Sequence, residues 1–382
     1  MASVQHMLSR RPWKLPVFGK RKPQRLGFFF HETTWSGAPL QLFHLIVWLK
    51  ARGLELTAAV PKPFTPESGP ITDRLGRIGV EILPIIELSS DPDFPALEAL
   101  CARCDAIVAN TLVMWAPVQA AFETGVATIW YLHESMVARQ LIAQIPEIQR
   151  TFSLPQVLAV PTSKTAQIYQ PHVSRPIEVV PYGIPAIEIA PAIHRSEKVS
   201  FLLLGSYEHR KGQDVFLEAI RRLPPYLREK GRFRMAGRRL DPRYHEQLVR
   251  SGADLPELEL AGALEHDQAQ AAIASSDVLV CASRDETMPL VILEAMSLAK
   301  TIVTVDVGGI SEWLRDGANA SVVRPEDPAA LARALQRCLE DSDLRQRLGP
   351  AAQRTFRRHF SLERLGRKFS QLLLTAHRAK NR

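Results

Sequence analysis

One pattern constrains this chain more than any other. Short apolar runs alternate with helix-length stretches through one half, stop, and then begin again. In the first half the runs are Leu26–Phe30, Leu54–Val60, Val80–Ile86, Ala106–Asn110, Ala127–Leu132, Val157–Val160 and Ile177–Val180. Each is short and apolar, with β-branched or aromatic residues in or beside it, as buried strands are. The stretches between them include helical patterns such as Leu40–Ala51. Alternation of this kind predicts an α/β fold, a parallel sheet with helices on both faces. The segment Pro181-Tyr-Gly-Ile-Pro185 to Pro191 is too proline-dense for regular structure and suits a linker. The alternation restarts at Val199–Leu204 and continues through Phe233–Ala236, Leu258–Ala261, Val278–Cys281, Ile302–Val305 and Ser321–Val323. From Pro328 to Lys380 the pattern is helical throughout.

The predicted organisation is a basic N-terminal arm over 1–24, a Rossmann-like domain over 25–182 and a linker over 183–198. A second Rossmann-like domain over 199–358 and a last helix with a basic tail over 359–382 complete it. Two such domains facing each other would set the carboxyl ends of both sheets around one cleft, where ligands bind. The chain's 382 residues and 46% hydrophobic content suffice for two cores. Its four cysteines are scattered, which argues against a disulfide framework and for a reducing cytoplasm. Cys101-Ala-Arg-Cys104 has no second pair and reads as two buried thiols rather than a zinc or redox site.

No apolar run approaches the roughly 20 residues that cross a bilayer, and no signal-like apolar stretch follows the basic first residues. The net charge is +8. Much of it sits at the ends, in Arg10 to Arg25 and in Arg354 to Arg382. Such ends suit either a solubilising tail or peripheral contact with an anionic membrane surface on its cytoplasmic side. No nucleic-acid module is visible, so nucleic acid is not expected as a partner.

Two segments carry chemistry. Gly205-Ser-Tyr-Glu208-His-Arg210-Lys211-Gly212 follows an apolar strand and opens a helix. Adjacent cations at a helix N-terminus make a seat for a diphosphate, since the dipole disfavours them there otherwise. Ser283-Arg-Asp-Glu286-Thr-Met-Pro289-Leu290-Val291-Ile-Leu-Glu294 follows another strand. Glu286 falls in the strand-to-helix loop and Glu294 inside the helix, with Pro289 expected in the first turn and Thr287 or Asp285 as its cap. Carboxylates so placed can hold hydroxyls of one extended polar ligand. The bland alternative is a loop charge and a solvated helix charge. The amides of Leu290 and Val291 are free donors of the first turn. Asp91-Pro-Asp93 reads as turn and capping chemistry rather than a metal site.

The order of strand, Glu286, Glu294-Ala-Met, the strand Thr301–Val305 and Gly308-Gly309-Ile-Ser-Glu312 resembles the nucleotide-sugar-binding half of the family 4 glycosyltransferases. These are retaining enzymes of the GT-B fold. The resemblance covers the chain from about Leu26 onward and is looser in the first half. It implies Glu286 near the transferred sugar, Glu294 on the ribose, and Gly205, Arg210, Lys211, Leu290 and Val291 around the diphosphate. It implies that Trp35-Ser36-Gly37-Ala38 approaches the donor phosphates from the first domain and that His133, after the strand ending Trp130-Tyr-Leu, lies close to the sugar. His133 and Glu286 are thus the expected catalytic residues. No cofactor or metal is expected beyond the nucleotide-sugar substrate, the cationic side chains standing in for an ion, and the last helix, Phe360–His377, should cross back to the first domain. The chain departs from the family where Ser206 replaces an Arg, Thr287-Met-Pro289 replaces Gly-Phe-Gly, and Ala299 replaces a Gly. The replaced Gly matters only if φ is positive at Ala299.

The expectation is a retaining glycosyltransferase of polysaccharide, lipopolysaccharide or glycolipid assembly. Its partners are a nucleotide sugar and a glycan or lipid-linked acceptor, with the acceptor entering near Trp35 and His133. The alternatives are a nucleotide-sugar epimerase or phosphorylase of the same fold, and a non-catalytic glycan-binding or scaffold protein.

Overall fold

The computed structural model describes residues 23–62, 69–85, 91–189 and 197–380. Most of the basic arm, Ile86, the middle of the linker and the last two residues lie outside these. The chain forms two compact units, one running to Pro185 and resuming at Ser361, the other spanning Ala186–Phe360. Each is a parallel α/β unit, and together they make the GT-B fold.

The first unit has strands β1 (Arg25–Phe29), β2 (Glu55–Pro61), β3 (Glu81–Ile85), β4 (Ala106–Asn110), β5 (Ala127–Tyr131), β6 (Val157–Val160) and β7 (Glu178–Val179). Their order is β3-β2-β1-β4-β5-β6-β7, all parallel. β4, β5 and β6 are buried along their whole length, which requires the unbroken apolar runs that a sheet covered on both faces carries. Edges differ by a residue where pairing, not hydrophobicity, sets the strand. Arg25 is exposed yet begins β1 because its backbone pairs with Glu55. Cys101 and Cys104 are buried, and burial pushes the Cys101 thiol up to about 12. A Cβ on Gly27 would stand 3.0 Å from Cys104 Sγ, so that thiol fills the space a glycine leaves in β1. Asp93 caps the helix Phe94–Ala102 through Ala96 N–H at 3.1 Å.

The helix Leu362–Lys380 belongs to the first unit although the chain just before it belongs to the second. Its apolar stripe of Leu365, Phe369, Leu372, Leu373 and Ala376 is buried, and Phe369 meets Tyr131 of β5 edge-on at 5.1 Å. Gly366 lies flat against Trp48, where a Cβ would enter the indole ring. Trp48 Nε1 donates to Glu363 at 2.8 Å, and Arg52 stacks over the same indole at 3.4 Å. Gly183 packs under this helix, and Gln41 both donates to its carbonyl and accepts from its N–H.

The second unit has strands β8 (Val199–Leu204), β9 (Gly231–Ala236), β10 (Leu258–Ala261), β11 (Val278–Cys281), β12 (Thr301–Val305) and β13 (Ser321–Val323). Their order is β10-β9-β8-β11-β12-β13, again parallel throughout. Phe201, Phe216 and Phe233 centre its core, Phe201 and Phe233 stacking at 5.0 Å. In both sheets the winding reverses beside the first strand, between β1 and β4 and between β8 and β11. Loops leaving the carboxyl ends of such a pair diverge and open a crevice. Among the described residues no helix is long and apolar enough to cross a membrane, and no cluster of His, Cys, Asp or Glu could hold a metal ion.

Ala299 does adopt a positive φ, +53°. It follows the helix Leu290–Ser297, with Ala299 N–H bonded to Met296 O at 3.2 Å and Lys300 N–H to Ala295 O at 2.9 Å. These are the two bonds of a Schellman C-cap, whose left-handed residue is usually glycine. An L-residue there costs about 1–2 kcal/mol, against about 0.4–1 kcal/mol that glycine loses through unfolded-chain entropy. Ala299→Gly is therefore expected to stabilise the protein by about 0.5–1 kcal/mol, read as a higher urea midpoint at unchanged slope.

Candidate active site

The second unit's crevice is built from the turn after β8. Gly237, after β9, lies so close that a Cβ there would strike Gly205 O, while Gly205 N–H bonds Ala236 O at 3.0 Å. The chain then makes the short helical turn His209–Lys211 and reaches Gly212, at φ +67°. A Cβ on Gly212 would collide with Ala282 O just past β11. Glycine is thus required there twice, for its φ and for the contact that brings the β8 and β11 loops together.

That approach delivers the two cations onto Glu286. Lys211 Nζ lies 2.6 Å from Oε1, Ser283 Oγ donates to the same oxygen at 2.9 Å, and Arg210 Nη1 is 3.7 Å from Oε2. Glu286 is only 8% exposed. Burial pushes its carboxyl up, but Lys211, Arg210 and the Ser283 hydrogen bond outweigh burial and hold it below the usual range. A third loop presses on Glu286 from the other side. Gly308, at φ +53°, lies where a Cβ would meet Glu286 O, and Gly309 N–H bonds Thr287 O at 2.9 Å.

Arg284, passed over in the sequence reading, ties both loops together. Its guanidinium grips Asp214 with two bonds of 2.9 and 2.8 Å, donates to His209 O at 2.7 Å and to Glu326 at 3.0 Å. Its backbone N–H bonds Arg210 O at 2.8 Å. Glu208 was also passed over. It accepts from Ser206 Oγ at 2.7 Å and from Arg210 Nη2 at 3.0 Å. These partners lie up to 75 residues apart in the chain, and no local pattern marks them.

Leu290 and Val291 open the helix Leu290–Ser297, where the first N–H groups have no preceding helical carbonyl. Neither Thr287 nor Asp285 is the cap. Pro289 occupies that position itself, at ψ 127° and with no side-chain cap, because its extended ψ leaves it outside the helix. Glu294 is not part of the Glu286 cluster. It is 6% exposed, and Gln270 Nε2 on the neighbouring helix His266–Ser275 donates to it at 3.3 Å. Burial, only partly offset by Gln270, pushes its carboxyl up to about 7.

In the first unit, Gly37 begins the helix Gly37–Lys50 after Ser36, and nothing lies within 4 Å of where its Cβ would stand. His133 follows β5 and is 8% exposed. Its Nε2 lies 2.6 Å from Asn110 Oδ1 and its Nδ1 2.8 Å from Tyr182 OH. Asn110 Nδ2 donates to Ala38 O at 3.2 Å, so Oδ1 faces the ring, Nε2 carries the proton, and Nδ1 accepts from Tyr182. Burial, with a smaller push from His31, lowers the His133 pKa to about 3. The ring is neutral and both its nitrogens are held by protein. Glu134 braces this arrangement by accepting from the backbone N–H of Leu112 at 2.8 Å and of His133 at 3.1 Å. Between Asn110 and Leu112, Thr111 is forced to φ +87°, a strained conformation for a β-branched residue.

The raised pKa of Glu294 makes a stability prediction. A carboxyl at 4.5 when unfolded and about 7 when folded contributes its full stability below pH 4.5 and loses it as pH rises towards 7. The loss is on the order of 3 kcal/mol. Glu294→Gln is expected to be the more stable protein at pH 8 and to lose that advantage at pH 4, as measured by urea denaturation at both.

Comparison with known proteins bears on this site. Residues 187–355 match the family model described as Glycosyl transferases group 1. The chain is 30% identical over 174 residues to the lipopolysaccharide core biosynthesis glycosyltransferase LpsE of Rhizobium meliloti, covering 44% of this chain and 48% of that protein. It is 28% identical over 151 residues to the alpha-D-kanosaminyltransferase of Streptomyces kanamyceticus, covering 40% and 39%. The matches thus span less than half the length of these relatives. Among solved structures, Anabaena HepE in complex with UDP and glucose superposes with a TM-score of 0.78 at 17% identity, covering 92% of this chain and 99% of that one. WaaG, a glycosyltransferase involved in lipopolysaccharide biosynthesis, gives 0.70 at 17% identity over 91% and 99%. At such identities the likeness shows the fold.

Proposed function

We propose that this protein is a glycosyltransferase of the family 4 type, moving a sugar from a nucleotide diphosphate to an acceptor hydroxyl with retention. The observation that carries the reading is the cluster of Lys211, Arg210 and Glu286 where the second sheet reverses, inside the stretch that matches Glycosyl transferases group 1.

On this reading the second unit holds the donor. Glu294 takes the ribose hydroxyls, which would give a buried, sparsely bonded carboxylate the donors it lacks. Arg210 and Lys211 face the diphosphate together with the amides of Leu290 and Val291, and Gly205 lets the backbone come close. As the glycosidic bond breaks, negative charge grows on the β-phosphate, and fixed cations stabilise that state more than the ground state. Glu286 lies near the sugar, ionised and immobilised by Lys211. Its role is electrostatic and orienting, and the displacement proceeds on one face through an oxocarbenium-like state. Gly37 and His133 belong to the first unit's contribution. With its neutral ring fixed by Asn110 and Tyr182, His133 presents a rigid surface rather than a titrating one. Side chains rather than a metal ion neutralise the leaving group.

The similarity to LpsE favours a role in lipopolysaccharide, polysaccharide or glycolipid assembly, with a glycan or lipid-linked acceptor, and the basic ends of the chain suit work at the cytoplasmic face of an anionic membrane. An epimerase would convert the donor without an acceptor hydroxyl, and a scaffold would bind no nucleotide. Calorimetry with UDP, GDP and ADP separates the last of these.

Lys211→Ala is expected to weaken nucleoside diphosphate binding about 10- to 100-fold, since it removes one charge-assisted contact and leaves Glu286 without its closest cation. Wild-type protein should prefer the ribo- over the 2′-deoxyribonucleotide, and Glu294→Ala should erase that preference, as read from paired titrations. Transfer at wild-type rates by both folded variants would refute the assignment.

A further inference from the structure

The two cations are not equally available. Lys211 is committed to buried Glu286 at 2.6 Å, whereas the Arg210 side chain is 41% exposed. Arg210 is nonetheless occupied. Its Nη2 lies 3.0 Å from Glu208 Oε1, and its Nη1 donates to Asp285 O at 3.1 Å and sits 3.7 Å from Glu286 Oε2. Glu208 does not swing freely. Its side chain is 20% exposed, and Ser206 Oγ donates at 2.7 Å to the same oxygen that Arg210 contacts. Two cations are therefore answered by two carboxylates, leaving this group of four with no net charge to offer an anion.

Resting on the nucleotide-diphosphate reading above, we propose that Glu208 is a built-in competitor for Arg210. A diphosphate must take the guanidinium from Glu208 before it can be bound fully, and Ser206, by pinning Glu208, sets the strength of that competition. A carboxylate that only positioned Arg210 would weaken binding when removed. One that withholds Arg210 strengthens it. The Arg210–Glu208 pair, with the more exposed partners, is the one a ligand can displace, since exposed ion pairs are weak, while the Lys211–Glu286 pair, whose carboxylate is buried, is costlier to open. The competition concerns phosphate charge, so it should discriminate by phosphate number and leave base and ribose recognition alone.

The test is calorimetric titration of UDP, GDP and ADP and of their monophosphates into wild type, Glu208→Gln, Glu208→Ala, Arg210→Ala and the Glu208→Gln/Arg210→Ala double variant, with folding checked by circular dichroism. Both Glu208 variants are expected to bind the preferred diphosphate about 3- to 10-fold more tightly than wild type, with monophosphate affinity changed less than about twofold. The gain should vanish in the Arg210→Ala background and shrink at high salt. Unchanged or weaker diphosphate binding in the Glu208 variants, or a gain that persists without Arg210, overturns the role of Glu208 and leaves the glycosyltransferase reading standing. Failure of wild type to bind any of the three diphosphates at millimolar concentration overturns that reading, and this inference with it.

Discussion

The contact between half-buried Lys211 and buried Glu286 is the interaction on which the arrangement of the second crevice depends. Taking a carboxylate such as Glu286 out of water is costly, and the attraction of its cation repays this only with good geometry and further hydrogen bonds. Both are present: a 2.6 Å contact, a hydroxyl on the same oxygen and a second cation near the other. Removing one partner of such a pair typically costs 3–5 kcal/mol because the other is left uncompensated. Such a pair is weak evidence for stability; what it does is join the turn after β8, which carries Lys211, to the turn after β11, which carries Glu286.

The pair can form only because backbone passes backbone without side chains between. Gly212 against Ala282, Gly237 against Gly205 and Gly308 against Glu286 are three contacts where a methyl group has no room. Arg284 then locks the result, using four side-chain bonds to Asp214, His209 and Glu326. The first unit solves a comparable problem with strain. Thr111 holds φ +87° next to Asn110, which meets His133, and Glu134 accepts from the Leu112 and His133 amides. Strain of about 1–3 kcal/mol is tolerated when surrounding bonds over-determine the conformation.

Much of the fold was legible in the chain. The apolar runs Ala106–Asn110, Val157–Val160 and Val278–Cys281 coincide with β4, β6 and β11, because a strand buried on both faces must be largely apolar along its length. Legibility failed where hydrophobicity and hydrogen bonding part company. Arg25 pairs though polar, and Pro289 stands outside its helix because its ψ is extended. The doubt over Ala299 could be framed from the sequence but settled only by a torsion angle. Among the site residues, Arg210, Lys211 and Glu286 could be picked out singly by their place after strands. That they neutralise one another could not, since the two segments lie 75 residues apart. Asn110, Glu134, Glu208 and Arg284 carry no local signature, because a side chain's partner across a loop has no fixed spacing.

By itself the sequence determined two rounds of strand and helix, parallel pairing within each, and which loops leave the carboxyl ends of the strands. Those properties follow from periodicity and from the short reach of a chain between neighbouring elements. Only the tertiary structure decided the charge state and availability of the groups on those loops. A histidine became neutral and held at both nitrogens, one glutamate became an ion-paired carboxylate, and another, eight residues on, an acid whose pKa is raised to about 7. The reason is physical. Ionisation depends on burial and on charges within a few ångströms, and nearness in space between segments distant along the chain is what folding supplies.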